Sequence, residues 1–188
     1  MEFKIEFSEE KNILLQEIRG INFNQVIEAI IKGDVLDNIE NKNYPKQKIL
    51  AVKIKNYVYA VPYVINKKKK TIFLKTVYPS RVLTKKYYKK GEKMNKKIKL
   101  DAQEKRIEKA LERGKYRSTP NLAETKKLFK QAAKNYQELN KTKRITIRVN
   151  NQDLIKVKAK AKRNNVPYQT LLNALIRQFA EGQTLVRL

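Results

Sequence analysis

The sequence predicts an α+β protein in three parts: a small sheet domain, a helical arm, and a C-terminal strand followed by two helices. Three observations predict it. Runs rich in β-branched and aromatic residues at 48–54, 57–65 and 71–78 are separated only by short turn signals. Around them, apolar residues recur at helical steps of three and four. Residues 143–182 then switch from strict alternation to two helical patterns with stop signals after each.

Residues 1–7 alternate Phe3, Ile5 and Phe7, the period of a strand. Ser8 followed by Glu9 and Glu10 is a helix entry, because a hydroxyl accepts from the free N–H groups and acids suit the positive end of the dipole. This helix is expected to bury Ile13, Leu14 and Ile18 and to stop at Gly20. A second helix over 22–32 puts Val26, Ile27, Ile30 and Ile31 on one side and ends at Gly33; a polar loop with Pro45 is expected next. Asn56 marks the turn of a first hairpin, and Asn66 with four lysines marks a second. The expected product is two helices against an antiparallel sheet, its last strand running into YPSRVLTKKYY at residues 78–88.

Glu92, Lys93 and Met94 form the expected seam, since MNKKIKLD reads like a fresh N-terminus. The parts are residues 1–93, 94–142 and 143–188. In the middle part Asp101 and Glu104 have capping-box spacing for a helix to Arg113, ended by Gly114. Asn121 and Glu124 repeat that signal for a helix to about Leu139, with Leu122, Phe129, Ala132, Ala133 and Tyr136 along one side. In the last part Ile145, Ile147 and Val149 take one face of a strand, and Arg144, Thr146 and Arg148 the other. Leu154, Ile155, Val157 and Ala161 follow on one helix, Leu171, Leu172, Leu175, Ile176 and Phe179 on a second. Asn164-Asn165 separates them, Pro167 is expected at the first helical position, and Gly182 is the stop.

Of 188 residues, 44 are Lys or Arg and 18 Asp or Glu, a formal charge of +26. Residues 1–93 hold 20 basic and 10 acidic side chains, residues 94–188 hold 24 and 8. Such a chain seeks polyanions, and nucleic acid is the first partner to expect. A membrane surface is the alternative, but no long apolar run or signal peptide supports it. There is no Cys and no His, so thiolate chemistry and the commonest general base are excluded. No metal site and no cofactor are expected.

One strand and two short helices bury little alone, and a lone strand leaves its edges unpaired. Pairing two copies makes an antiparallel ribbon over four helices, showing Arg144, Thr146 and Arg148 twice to a major groove. The N–H groups near Val166, Pro167 and Tyr168 would hold a DNA phosphate. In this pattern residues 143–188 resemble a CopG-type ribbon-helix-helix domain, as found in antitoxins that repress their own operons.

FSEEKN near the start, a helix pair, and a last strand entering Ser80-Arg81 and Thr84-Lys85-Lys86-Tyr87 resemble the BrnT branch of RelE-superfamily toxins, across about residues 1–90. The resemblance implies a metal-independent ribonuclease. Its chemistry needs basic and phenolic groups over a phosphate, to deprotonate a ribose 2′-OH, stabilise the phosphorane and protonate the leaving oxygen. Arg81 is the expected phosphate clamp, with Lys75, Tyr78, Ser80, Lys85 and Tyr87 around it; Lys75 would assist or act as base if buried, and Tyr63 or Tyr87 would stack on a base or donate a proton. In antitoxins of this layout the arm wraps the toxin. Asp101, Glu104, Glu108 and Glu112 share one helical face and are expected over Arg81 and Lys85, with Leu122, Phe129 and Tyr136 as the apolar anchor. The contact is within the chain or between chains. The competing expectation is a DNA-binding regulator whose first domain is catalytically inactive. The solvated reading of each basic or acidic residue stands beside its functional one.

Overall fold

The computed structural model describes residues 3–41, 44–87, 99–141 and 144–183; the expected seam at 92–94 lies outside these. The protein is of mixed α+β class, with seven helices and a seven-stranded open sheet among the described residues. It divides into two compact units, residues 1–141 and 142–188.

In the first unit, β1 (Lys4–Glu6) leads to α1 (Glu9–Arg19) and α2 (Phe23–Lys32). Ser8 accepts from the Lys11 N–H, and Gly20 closes α1 at φ 66°, a left-handed conformation that glycine reaches without strain. Asn22 and Gln25 form a full capping box on α2. The sheet continues with β2 (Val35–Asn41), β3 (Lys48–Ile54), β4 (Tyr57–Asn66), β5 (Thr71–Leu74) and β6 (Tyr78–Pro79), then α3 (Arg81–Tyr87). Next among the described residues come α4 (Ala102–Glu112), β7 (Tyr116–Ser118) and α5 (Leu122–Asn140). The strand order is β1-β5-β4-β3-β2-β7; β6 also pairs with β4, and only β1 and β5 run parallel.

Both faces of this sheet are covered. Leu50, Val52, Val61 and Tyr63 meet Phe23, Val26, Ile27 and Ile30 of α2 and Phe129, Ala132 and Ala133 of α5. On the other face Ile49, Ala51, Val58, Ala60 and Tyr78 meet Leu83 of α3 and Leu111 of α4. That is why β3 and β4 read as unbroken apolar runs rather than as alternating ones.

Several expectations for the first unit need correction; Asn121, expected to cap α5, makes no side-chain cap hydrogen bond. Ile13, Leu14 and Ile18 are 54, 44 and 65 % exposed; α1 instead buries Leu15 and Asn12, whose Oδ1 accepts from the Phe23 N–H at 2.8 Å. The loop expected after Gly33 contains β2. The third β-rich run is two strands, broken at residues 75–77. Helices lie on two faces of the sheet, not one: α2 and α5 cover one face and α3 and α4 the other, and residues 99–141 also supply β7 to the edge beside β2.

The second unit holds α6 (Asn151–Arg163) and α7 (Tyr168–Ala180). Asn150 caps α6 by accepting from the Gln152 N–H, Asn165 sits at φ 52° between the helices, and Gly182 follows α7 at φ 72°. Residues 144–150 form no strand within this chain. Pro167 is the cap residue just before α7, one place earlier than expected. Its carbonyl accepts from the Thr170 and Leu171 N–H groups.

Candidate functional site

The residues expected to form one catalytic group are spread over the first unit. Tyr63 and Tyr78 are 1 % and 0 % exposed, on opposite faces of the sheet. The Tyr63 hydroxyl donates to Asn38 Oδ1 at 2.8 Å, and its ring meets Phe129 edge-on at 4.9 Å. Burial pushes both phenols far above their ordinary pKa. These two rings are core, beyond the reach of a base or a leaving oxygen. Lys75 is exposed, not buried, and its Nζ donates to Gln47 at 2.9 Å.

Around α3 the arrangement is tighter. Ser80 is fully buried; its Oγ donates to Glu108 Oε1 and accepts from the Leu83 N–H, both at 3.1 Å. Thr84 Oγ1 donates to the Ser80 carbonyl at 2.7 Å and accepts from the Val58 N–H at 3.0 Å, tying α3 to β4. These bonds hold the helix so that Arg81 and Lys85, one turn apart, are both exposed to solvent. Tyr87 donates to Asp37 Oδ2, which also accepts from Ser118 Oγ at 2.5 Å. Burial raises the Tyr87 pKa, and the Asp37 carboxylate adds to the rise. Arg81 and Lys85 are thus the members of the expected set, with Lys75, that a dissolved polyanion reaches.

The acidic face of α4 meets different partners from those expected. Glu104 is fully buried and grips Arg19 by two bonds, 2.8 Å to Nη1 and 2.6 Å to Nη2. Thr76 Oγ1 donates to the same carboxylate at 2.8 Å, and Arg19 donates further to the Val77 and Lys99 carbonyls. A bidentate pair of this kind compensates the desolvation of both charges only because its remaining lone pairs and protons are also bonded. Glu108 accepts from Ser80 Oγ and the Val82 N–H at 3.1 Å. Desolvation raises its pKa despite those bonds, and its Oε2 and the Tyr78 hydroxyl have no partner among the described residues. Asp101 lies 3.8 Å from Lys11 Nζ. The stripe therefore clamps α1 and the start of α3 through Arg19 and backbone N–H groups, while the expected partners, the side chains of Arg81 and Lys85, stay free of it. The apolar side of α5 is buried at Phe129, with Leu122 and Tyr136 partly buried against the same core. Sequence reasoning passed over Arg19, a lone cation at a helix end among many; nothing local sets it apart.

In the second unit Arg144, Thr146 and Arg148 are exposed, and so are Ile145, Ile147 and Val149 between them. Val166 is 37 % exposed, the start of α7 beside Pro167 has no side-chain cap, and Lys158 Nζ stands 5.4 Å over the Tyr168 ring.

Among the described residues no group of three or more His, Cys, Asp or Glu side chains is placed to hold a metal ion, and no helix is long and apolar enough to cross a membrane. Compared with known proteins, the chain matches no family model, no curated protein and no solved structure.

Proposed function

We propose that this chain joins a toxin-like domain to its own antitoxin: residues 144–183 pair with a second copy as a ribbon-helix-helix dimer that represses an operator, and residues 99–141 hold the RelE-like first domain closed. One observation carries the DNA-binding half. Among the described residues of the second unit only Ala161 is buried, while Ile145, Ile147, Val149, Leu175, Ile176 and Phe179 are 43 to 66 % exposed. An apolar set that large and that regularly spaced demands cover. A second copy supplies it, pairing the two 144–150 segments and packing four helices beneath. Arg144, Thr146 and Arg148 then line the outer face of a ribbon that fits a major groove.

The first domain is read as a metal-independent ribonuclease in which Arg81 clamps a phosphate and Lys85 adds charge beside it. Support comes from the way the arm completes this domain, giving it an edge strand and a helix on each face. A second reading is favoured by the burial of Tyr63, Tyr78 and Ser80: the first domain is an inactive accessory to the DNA-binding dimer.

Two measurements on the full chain test this. Sedimentation and gel shift should give a dimer that binds duplex DNA, with Ile147→Asp abolishing both; a monomer that still binds specifically overturns the ribbon. Glu104→Gln with Glu108→Gln should loosen α4, followed by hydrogen exchange. RNA cleavage that rises with opening supports the closed ribonuclease, and intact RNA beside an opened α4 supports the accessory domain.

A further inference from the structure

The first unit carries a cleft of about 460 Å³ between α4, the β7 strand and the loop before β3. It is large enough for one or two nucleotides. Five cationic side chains line it, with no carboxylate among the lining residues. Arg106 and Lys109 share one face of α4, and Arg113, the residue that caps its C-terminal end, follows four positions after Lys109. That face is turned from the one that buries Glu104 and Leu111. Lys75 and Lys115 close the cleft from the sheet side.

A few exposed cations of the chain have an acid beside them, as Lys48 has Glu40 and Arg177 has Glu181. Among the described residues none of these five makes an ion pair. Like charges gathered in a concave site repel one another and focus a positive potential. Two tyrosines stand among them. Tyr44 is 66 % exposed, and the half-buried Tyr116 is held by a side-chain hydrogen bond to Asn41. Cations that follow a backbone beside exposed aromatic faces are the combination that takes single-stranded nucleic acid, with phosphates on the cations and bases on the rings.

We propose that this cleft binds a single strand of nucleic acid, Arg106 and Arg113 holding successive phosphates and Tyr44 stacking on a base. The site is built jointly by the sheet domain and the arm, is separate from Arg81 and Lys85, and does not rest on the function proposed above.

The test uses the full chain and a fluorescein-labelled eight-residue oligothymidylate, which has no 2′-hydroxyl to cleave, read by anisotropy. Arg106→Glu with Arg113→Glu should weaken binding at least ten-fold and flatten the dependence of log affinity on log salt by about 1.4, two contacts' worth. Lys67→Glu with Lys68→Glu, the same change of charge at the β4–β5 turn, should weaken it less than two-fold. Tyr44→Ala, which leaves the charge unaltered at an exposed position, should cost about five-fold or more. Equal losses from the two charge reversals overturn the proposal, since binding is then net charge alone. So does a full loss on Arg144→Glu with Arg148→Glu, which puts the strand on the second unit. Displacement by polyglutamate of equal charge, or thymidine monophosphate binding as tightly as the eight-mer, overturns it in favour of an acidic peptide or a free nucleotide.

Discussion

In the first unit Ile49, Leu50, Ala51 and Val52 follow one another along β3 and all are fully buried; in the second, Ile145, Ile147 and Val149 alternate with polar residues outside any helix or strand and stand 66, 56 and 46 % exposed. Consecutive apolar residues need cover on both faces of a strand, and the first unit finds it in its own chain: α2 and α5 on one side, α3 and α4 on the other. An alternating stretch needs cover on one face only, but it also needs a neighbouring strand, because its backbone N–H and C=O groups are otherwise unpaired. Among its described residues the second unit has two helices and no strand to pair with that stretch. The difference teaches where to look for partners. A unit that buries its own apolar residues presents its surface for binding by charge, whereas one that leaves them out presents them for assembly.

The comparison breaks first at Phe129. Phe129→Ala leaves a cavity between α5 and the sheet and should cost about 3–5 kcal/mol in chemical denaturation, with exchange rates in α6 and α7 unchanged. A loss shared by both units would mean that they do not fold separately. Next, Glu104→Gln alone should cost about 3 kcal/mol, because it leaves the Arg19 guanidinium buried without a counter-charge. The double change Arg19→Met with Glu104→Leu should recover most of that loss in thermal melts. If the single variant is as stable as the parent, the pair does not clamp α1 to α4.

A smaller effect belongs to the second unit. Arg148→Ala should cost about 1–3 kcal/mol of operator preference in competition gel shifts and leave the melting of the first unit untouched. The smallest is a slope. Desolvation raises the Glu108 pKa in the folded state, so above the ordinary carboxylate range the folded protein holds more protons than the unfolded one. Stability should therefore fall as pH climbs from the unfolded value through the folded one. Glu108→Gln should remove that slope, and an unchanged pH profile of melting would show that the group is solvated after all.

Several elements were readable before the structure because their determinants are local. Ser8, Asn22 and Asp101 cap the helices that follow them, and Gly20, Gly33 and Gly114 stand at left-handed angles where the helical patterns end. The strand missed at 35–41 shows why others were not readable. A bulge between Val35 and Asp37 shifts the register, so Val35 and Ile39 fall on opposite faces although they are four residues apart. No period of two survives such a shift. The three-residue β7 is too short to show a period at all.

By itself the sequence determined the class, the caps and turns, the order of segments, and the two apolar patterns that distinguish the units. Each of these depends on neighbours within about four positions, where a hydrogen bond or a side-chain direction is settled by the backbone alone. Only the tertiary structure decided which faces are inside. Leu15 is buried in place of Ile13 and Ile18, Tyr63 and Tyr78 are core, and Glu104 faces Arg19 instead of Arg81. Those outcomes rest on partners 25 and 85 positions away, Asn38 for Tyr63 and Arg19 for Glu104. A buried polar group must be bonded wherever its partner comes from, and that partner is chosen by packing, which no local pattern records.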